Sequence, residues 1–132
     1  MSAFKTVMRY LMAFFFVAAG LNHFFNPEFY IKIMPPYLPW PVFLQYLAGA
    51  LEIVLGAMLL IRYFTKIAAW GLIGLLIAVF PANIHMALNP HLYAELAPIA
   101  YWIRLPFQFL FIAWAWWFTR NDVEVAEDLN QQ

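Results

Sequence analysis

Apolar runs of about twenty residues, separated by short polar or proline-rich breaks, account for most of this chain. Four runs cover 6–25, 42–61, 67–86 and 99–118. An α-helix needs about 20 mostly apolar residues to cross the roughly 30 Å hydrocarbon layer. The pattern therefore predicts an all-α fold, an integral membrane four-helix bundle over residues 1–120. A short acidic tail at 121–132 should be disordered. The third run is the least regular, because Pro81, Asn83 and His85 interrupt its end. Such breaks are tolerated in a membrane helix where neighbouring helices satisfy the freed backbone groups. The first run could instead be a signal peptide, with Lys5 and Arg9 leading towards Ala18, Ala19 and Gly20. Its length and its continuation into a His-containing segment favour a retained span. The break at 26–41 holds five prolines and should be stiff and non-helical; the apolar stretch 29–34 within it should lie at the membrane interface.

A shift of 63 residues aligns the two halves of the chain. Asn26 and Pro27 fall on Asn89 and Pro90, Tyr30 on Tyr93, Pro35 on Pro98 and Gln45 on Gln108. With Ala19, Leu47 and Ala50 on Ala82, Leu110 and Ala113, that makes eight identities across 34 positions. Roughly two or three would arise by chance at average residue frequencies. The offset preserves orientation, which suggests two parallel helical hairpins related by an axis along the membrane normal.

Composition sharpens this picture mainly by exclusion. Of 132 residues 66% are hydrophobic and only 11% charged, against about 25% charged in soluble domains. There is no cysteine, so thiol catalysis and disulfide exchange are excluded. Net charge is zero and no basic run exists, which leaves nucleic acid without a binding surface. Lys5, Arg9, Arg62, Lys66 and Arg120 flank one side of the spans, whereas Lys32 alone lies in the opposite loops. The positive-inside rule then places both termini in the cytoplasm.

Helical spacing groups the few polar residues inside the spans. Gln45, Gly49, Glu52 and Gly56 share one helix face, and Arg104 and Gln108 share another. At about 1.5 Å per residue, Glu52 and Gln108 lie about 15 and 14 Å below their outer ends, and Arg104 about 8 Å. His23, Asn22, Asn83 and His85 gather near the outer ends of the first and third runs. A lone charge near the bilayer centre costs about 2.5–3.5 kcal/mol, so Glu52 is expected to face Arg104. The candidate site is thus His23, Gln45, Glu52, Asn83, His85, Arg104 and Gln108. It reads either as a pocket open to the outside or as an interhelical clamp. Metal or haem ligation by His23 and His85 is disfavoured, since no carboxylate neighbours either in sequence. His91 reads as a solvated loop residue.

The run Gly20-Leu21-Asn22-His23-Phe24, followed by Asn26-Pro27, Lys32 and Met34-Pro35-Pro36-Tyr37-Leu38-Pro39, resembles the DoxX-like family. Gly49 with Glu52 and Gly56, the stretch Phe80-Pro81-Ala82-Asn83-Ile84-His85, and Arg104-Leu105-Pro106-Phe107-Gln108 extend the likeness over nearly the whole chain. The resemblance implies a small, four-helix protein of the bacterial inner membrane. Its founding member is a subunit of a thiosulfate–quinone oxidoreductase, and a distant animal relative assists receptor assembly. No catalytic motif carries over residue by residue, and a role in disulfide handling would need cysteines that this chain lacks.

Three functions follow as expectations. The first is a redox-associated subunit whose pocket takes a quinone-like molecule, quinone being the one cofactor in view. The second is an accessory or assembly factor for another membrane protein, using its proline-rich loop as the contact surface. The third is a small-solute transporter, which with four helices would need to associate with itself. The expected partners are the lipid bilayer and either another membrane protein or a second copy.

Overall fold

The computed structural model describes residues 2–93 and 96–120. Every regular element among them is helical: α1 (Ala3–Phe25), α2 (Pro27–Lys32), α3 (Pro41–Leu59), α4 (Thr65–Leu88) and α5 (Pro98–Thr119). Short 3-10 turns occupy Arg62–Phe64 and Pro90–Leu92. The fold is all-α. The tail at 121–132, with the disorder expected there, lies outside the described residues.

Local chemistry explains where the helices begin and end. Ser2 caps α1 by accepting a hydrogen bond from the Lys5 amide at 3.1 Å. Pro41 and Pro98 open α3 and α5, positions where a missing N–H removes no intrahelical bond. α4 runs through Pro81 to Leu88, past the predicted end at 86. Proline there deletes one bond of the helix ladder, and the Gln108 side chain from α5 ties in the nearby Leu76 carbonyl.

The segment 26–41 departs from its expected non-helical form, because 27–32 folds as α2. Pro27 occupies the first turn of that helix, and the other four prolines all follow its end. Beyond α2 the backbone is constrained as expected. Trp40, between Pro39 and Pro41, sits in the left-handed region at φ 50° and leaves 73% of its surface exposed.

α1 packs chiefly along α3 and α4 along α5, while α3 and α4 join the two pairs. All four long helices contribute to one apolar core through Met12, Phe16, Leu59, Leu72, Ala115 and Phe118. A smaller cluster of Ile33, Met86, Tyr93 and Tyr101 closes the opposite end. The outward faces are also apolar: Phe14, Val54, Ile77 and Phe109 are each more than half exposed. Ala3–Phe25, Pro41–Leu59 and Arg62–Leu88 are long and apolar enough to cross a membrane. α5 has comparable length, 22 residues, and carries Arg104, Gln108, two prolines and four tryptophans.

Two cations expected to flank the spans are built into the fold instead. Arg9 is buried and its Nη1 donates to the Leu59 carbonyl at 3.1 Å and to Thr65 Oγ1 at 3.0 Å. It thereby ties α1 to the end of α3 and the start of α4, supplying a donor to a terminal helix carbonyl. Lys5, also buried, donates from Nζ to the Arg120 carbonyl at 3.3 Å.

Candidate functional site

The polar residues fall into two groups, one in each helix pair, related by the 63-residue offset. α1 ends at Phe25 and α4 at Leu88, and the following asparagines, Asn26 and Asn89, have the same backbone conformation, φ −129° and ψ 57°. Each returns its amide N–H to the carbonyl four residues back, Asn22 or His85. Pro27 and Pro90 then open the next turn. Matched side-chain contacts follow. Asn22 Nδ2 donates to the Tyr30 hydroxyl at 2.7 Å, and at the equivalent positions His85 Nδ1 and the Tyr93 hydroxyl share a hydrogen bond of 2.9 Å. Burial, and then the neighbouring phenols Tyr37 and Tyr101, hold the Tyr93 hydroxyl above its ordinary pKa, so it remains a proton carrier in that contact.

The two equivalent glutamines, Gln45 and Gln108, are both buried but meet different surroundings. Gln108 is satisfied at both ends of its amide. Its oxygen accepts from Asn83 Nδ2 at 2.7 Å, and its nitrogen donates to the Leu76 carbonyl. The position equivalent to Asn83 in the first half is Gly20, which has no side chain to offer. Gln45 accordingly has no hydrogen-bond partner at either amide atom, although only 1% of it is exposed.

Close packing puts two ionisable groups beside that amide. The Gln45, Gly49, Glu52, Gly56 face of α3 is turned to α1, where a Cβ on Gly49 would lie 2.6 Å from the His23 Cβ. A Cβ on Gly20 would lie 2.6 Å from the Gly49 carbonyl oxygen. Backbones that approach this closely require glycine on both sides. His23 Nε2 stands 3.6 Å from Glu52 Oε2, with 11% and 18% of the two side chains exposed. Tyr30 from α2 stacks on the imidazole, ring centroids 3.7 Å apart and planes within 16°. Gln45 borders His23 through both its side-chain amide and its backbone, although no hydrogen bond of normal geometry joins the amide to the imidazole.

Among the described residues six buried side-chain polar atoms lack a hydrogen-bond partner, and four belong here: His23 Nδ1, both amide atoms of Gln45, and Glu52 Oε2. Buried polar groups are hydrogen-bonded in about 90% or more of cases, so this concentration sets the α1–α3 group apart from its counterpart. Chemically it offers a donor and an acceptor from one amide, a carboxyl group and an imidazole. His23 and Glu52 are its only metal-ligand types, since His85 stands in the other half against Tyr93.

The seven candidate residues are therefore not one constellation. His23, Gln45 and Glu52 meet between α1 and α3, and Asn83 and Gln108 between α4 and α5. His85 joins Tyr93 and the loop residue Tyr37, whose ring lies edge-on to it at 5.3 Å. The expected Glu52–Arg104 pair is absent: among the described residues Arg104 has no ion-pair partner, and Glu52 meets His23. The cause is helix pairing. The glycine-rich face of α3 packs on α1, whereas α5 packs chiefly on α4. Tyr30 was not singled out from sequence, although its place in the repeat beside Tyr93 was visible.

The chain belongs to the family described as a domain of unknown function, DUF8561, whose model matches residues 12–119. No curated protein and no solved structure matches it.

Proposed function

We propose that this family member is a multi-pass protein of the bacterial inner membrane, a redox-associated subunit that binds the head group of a quinone-like molecule between α1 and α3. One observation carries the reading: the unpartnered Gln45 amide beside His23 and Glu52. A quinone carbonyl accepts from Gln45 Nε2, and the hydroxyl of its reduced form donates to Gln45 Oε1 or to Glu52. Tyr30 already covers one face of the His23 imidazole, so the head group would meet the edge of this pair and the Gln45 amide beside it. The apolar outward faces favour lipid around the helices, and the likeness to the DoxX-like family supports a redox setting.

Titrating the detergent-purified protein with a short-chain quinone by calorimetry tests this. The expected result is saturable binding to the wild type and a Kd about tenfold to 100-fold weaker in Gln45→Leu, the loss of roughly one or two hydrogen bonds. Equal binding by both proteins, or none by the wild type, would refute it. Four spans with both termini in the cytoplasm complete the proposal, with α5 held in the bilayer by its contacts with α4. Reporter fusions at Gln132 and within 26–41 should then report opposite sides of the membrane. The same side for both would overturn the four-span topology.

A second reading, an accessory or assembly factor, is favoured by the loop. Trp40, fixed between two prolines, and Tyr37 present 73% and 57% of their surfaces. Exposed aromatics on a rigid backbone suit a protein partner. Trp40→Ala should release a co-purifying membrane protein if this reading holds, and should leave quinone affinity unchanged under the first.

A further inference from the structure

We infer that Glu52 is a proton-exchanging carboxyl group open only to the Asn26 end of the protein, and that His23 is the group through which its proton passes. The inference rests on the membrane-spanning reading above but not on the quinone.

The arrangement around His23 is that of a relay. Its Nε2 is 3.6 Å from Glu52 Oε2, a gap that a small side-chain rotation or one bridging water closes. Its Nδ1 has no protein partner. An imidazole passes a proton onward when one nitrogen takes it up while the other releases it. The proton balance is simple. The Glu52 carboxyl gives its proton to Nε2, leaving a carboxylate and an imidazolium. The imidazolium then loses the Nδ1 proton to water at the Asn26 end, and uptake runs the same steps in reverse: water protonates Nδ1 and Nε2 returns its proton to the carboxylate, which restores the starting tautomer.

Polar side chains border His23 on that side alone. Tyr30 lies on the imidazole, Asn22 bonds the Tyr30 hydroxyl at 2.7 Å, and Asn26, which is exposed, bonds Asn22 at 2.6 Å. In the other direction α1 and α3 present Phe16, Ala13, Met12 and Leu59 to the shared apolar core, all 3% exposed or less. No titratable side chain interrupts that layer before Arg9.

Other ionisable groups on the packed elements stand elsewhere. Glu28 and Lys32 of α2 are exposed, Tyr46 of α3 lies against Phe24, and His85 of α4 is engaged by Tyr93. Lys5, Arg9, Tyr10 and Lys66 belong to the far end. His23 is thus the one ionisable neighbour of Glu52 within ion-pair distance among the described residues.

Infrared spectroscopy of the quinone-free protein in vesicles tests this, with the Glu52 carbonyl band assigned by its loss in Glu52→Gln. In vesicles sorted so that the Asn26 end faces outward, the band should follow a jump in external pH. In inverted vesicles it should respond only after a proton ionophore is added. Hydrogen–deuterium exchange of the same band should slow by about 100-fold in His23→Gln. A response from the opposite face in wild-type vesicles, which needs no variant to fold, would overturn the inference. So would an unchanged exchange rate in a folded His23→Gln protein. A protein that passes this test but binds no quinone keeps the relay and loses only the ligand reading; the reverse result removes the relay alone.

Discussion

Gly20→Ala is expected to lower stability by about 1–3 kcal/mol or more, the range for overpacking a close contact. The added Cβ would lie 2.6 Å from the Gly49 carbonyl oxygen and 2.9 Å from the Ile53 amide nitrogen. Both are backbone atoms, so no side-chain rotation can make room. Relief requires α1 and α3 to separate, and separation loosens the packing of His23 on Gly49. Gly74→Ala provides the control within the same protein. Nothing lies within 4 Å of a Cβ built there, and the residue is exposed. Removing a helical glycine at that point should raise stability by up to about 1 kcal/mol. Thermal unfolding in detergent compares the two. A Gly20→Ala protein as stable as Gly74→Ala would mean that α1 and α3 do not meet at these glycines.

The elements of the fold that could be read from the chain are those encoded locally. The long helices coincide with apolar runs, and their ends coincide with Asn26-Pro27, Pro41, Asn89-Pro90 and Pro98. Residue spacing grouped Gly49 and Gly56 on one face of α3, and that face is in close contact with α1. What spacing could not supply was the identity of the helix on the other side. Depth alone allowed Arg104 to reach Glu52, but packing on α1 gave the carboxyl to His23 instead. The same limit hid the role of Arg9. Its charge marked a membrane flank, while its contacts with Leu59 and Thr65 depend on three elements meeting at one corner. α2 escaped notice because proline count was weighed without position: Pro27 at a first turn permits the helix that Pro35 and Pro36 would have stopped.

The difference between the two halves also bears on why a buried amide would remain unpaired. Gln45 and Gln108 occupy equivalent positions, yet only Gln108 has acquired Asn83 as a partner. The first half carries Gly20 at that place, and it carries His23 and Glu52 where the second has Met86 and Ala115. In the second half the side chains close an amide into the bundle; in the first they leave the equivalent amide without a hydrogen-bond partner.

Paired thermal unfolding of Gln108→Leu and Gln45→Leu tests that assignment most directly. Leucine at 108 strands Asn83 Nδ2 and removes the bond to the Leu76 carbonyl, each such loss costing about 1–3 kcal/mol in a buried setting. Leucine at 45 breaks no protein hydrogen bond and removes an amide whose burial without partners itself costs about 1–3 kcal/mol. The expected result is a marked fall in Tm for Gln108→Leu and an unchanged or higher Tm for Gln45→Leu in the absence of ligand. A fall for Gln45→Leu equal to that for Gln108→Leu would show that both amides serve the fold alike, and that the α1–α3 group is not a binding site.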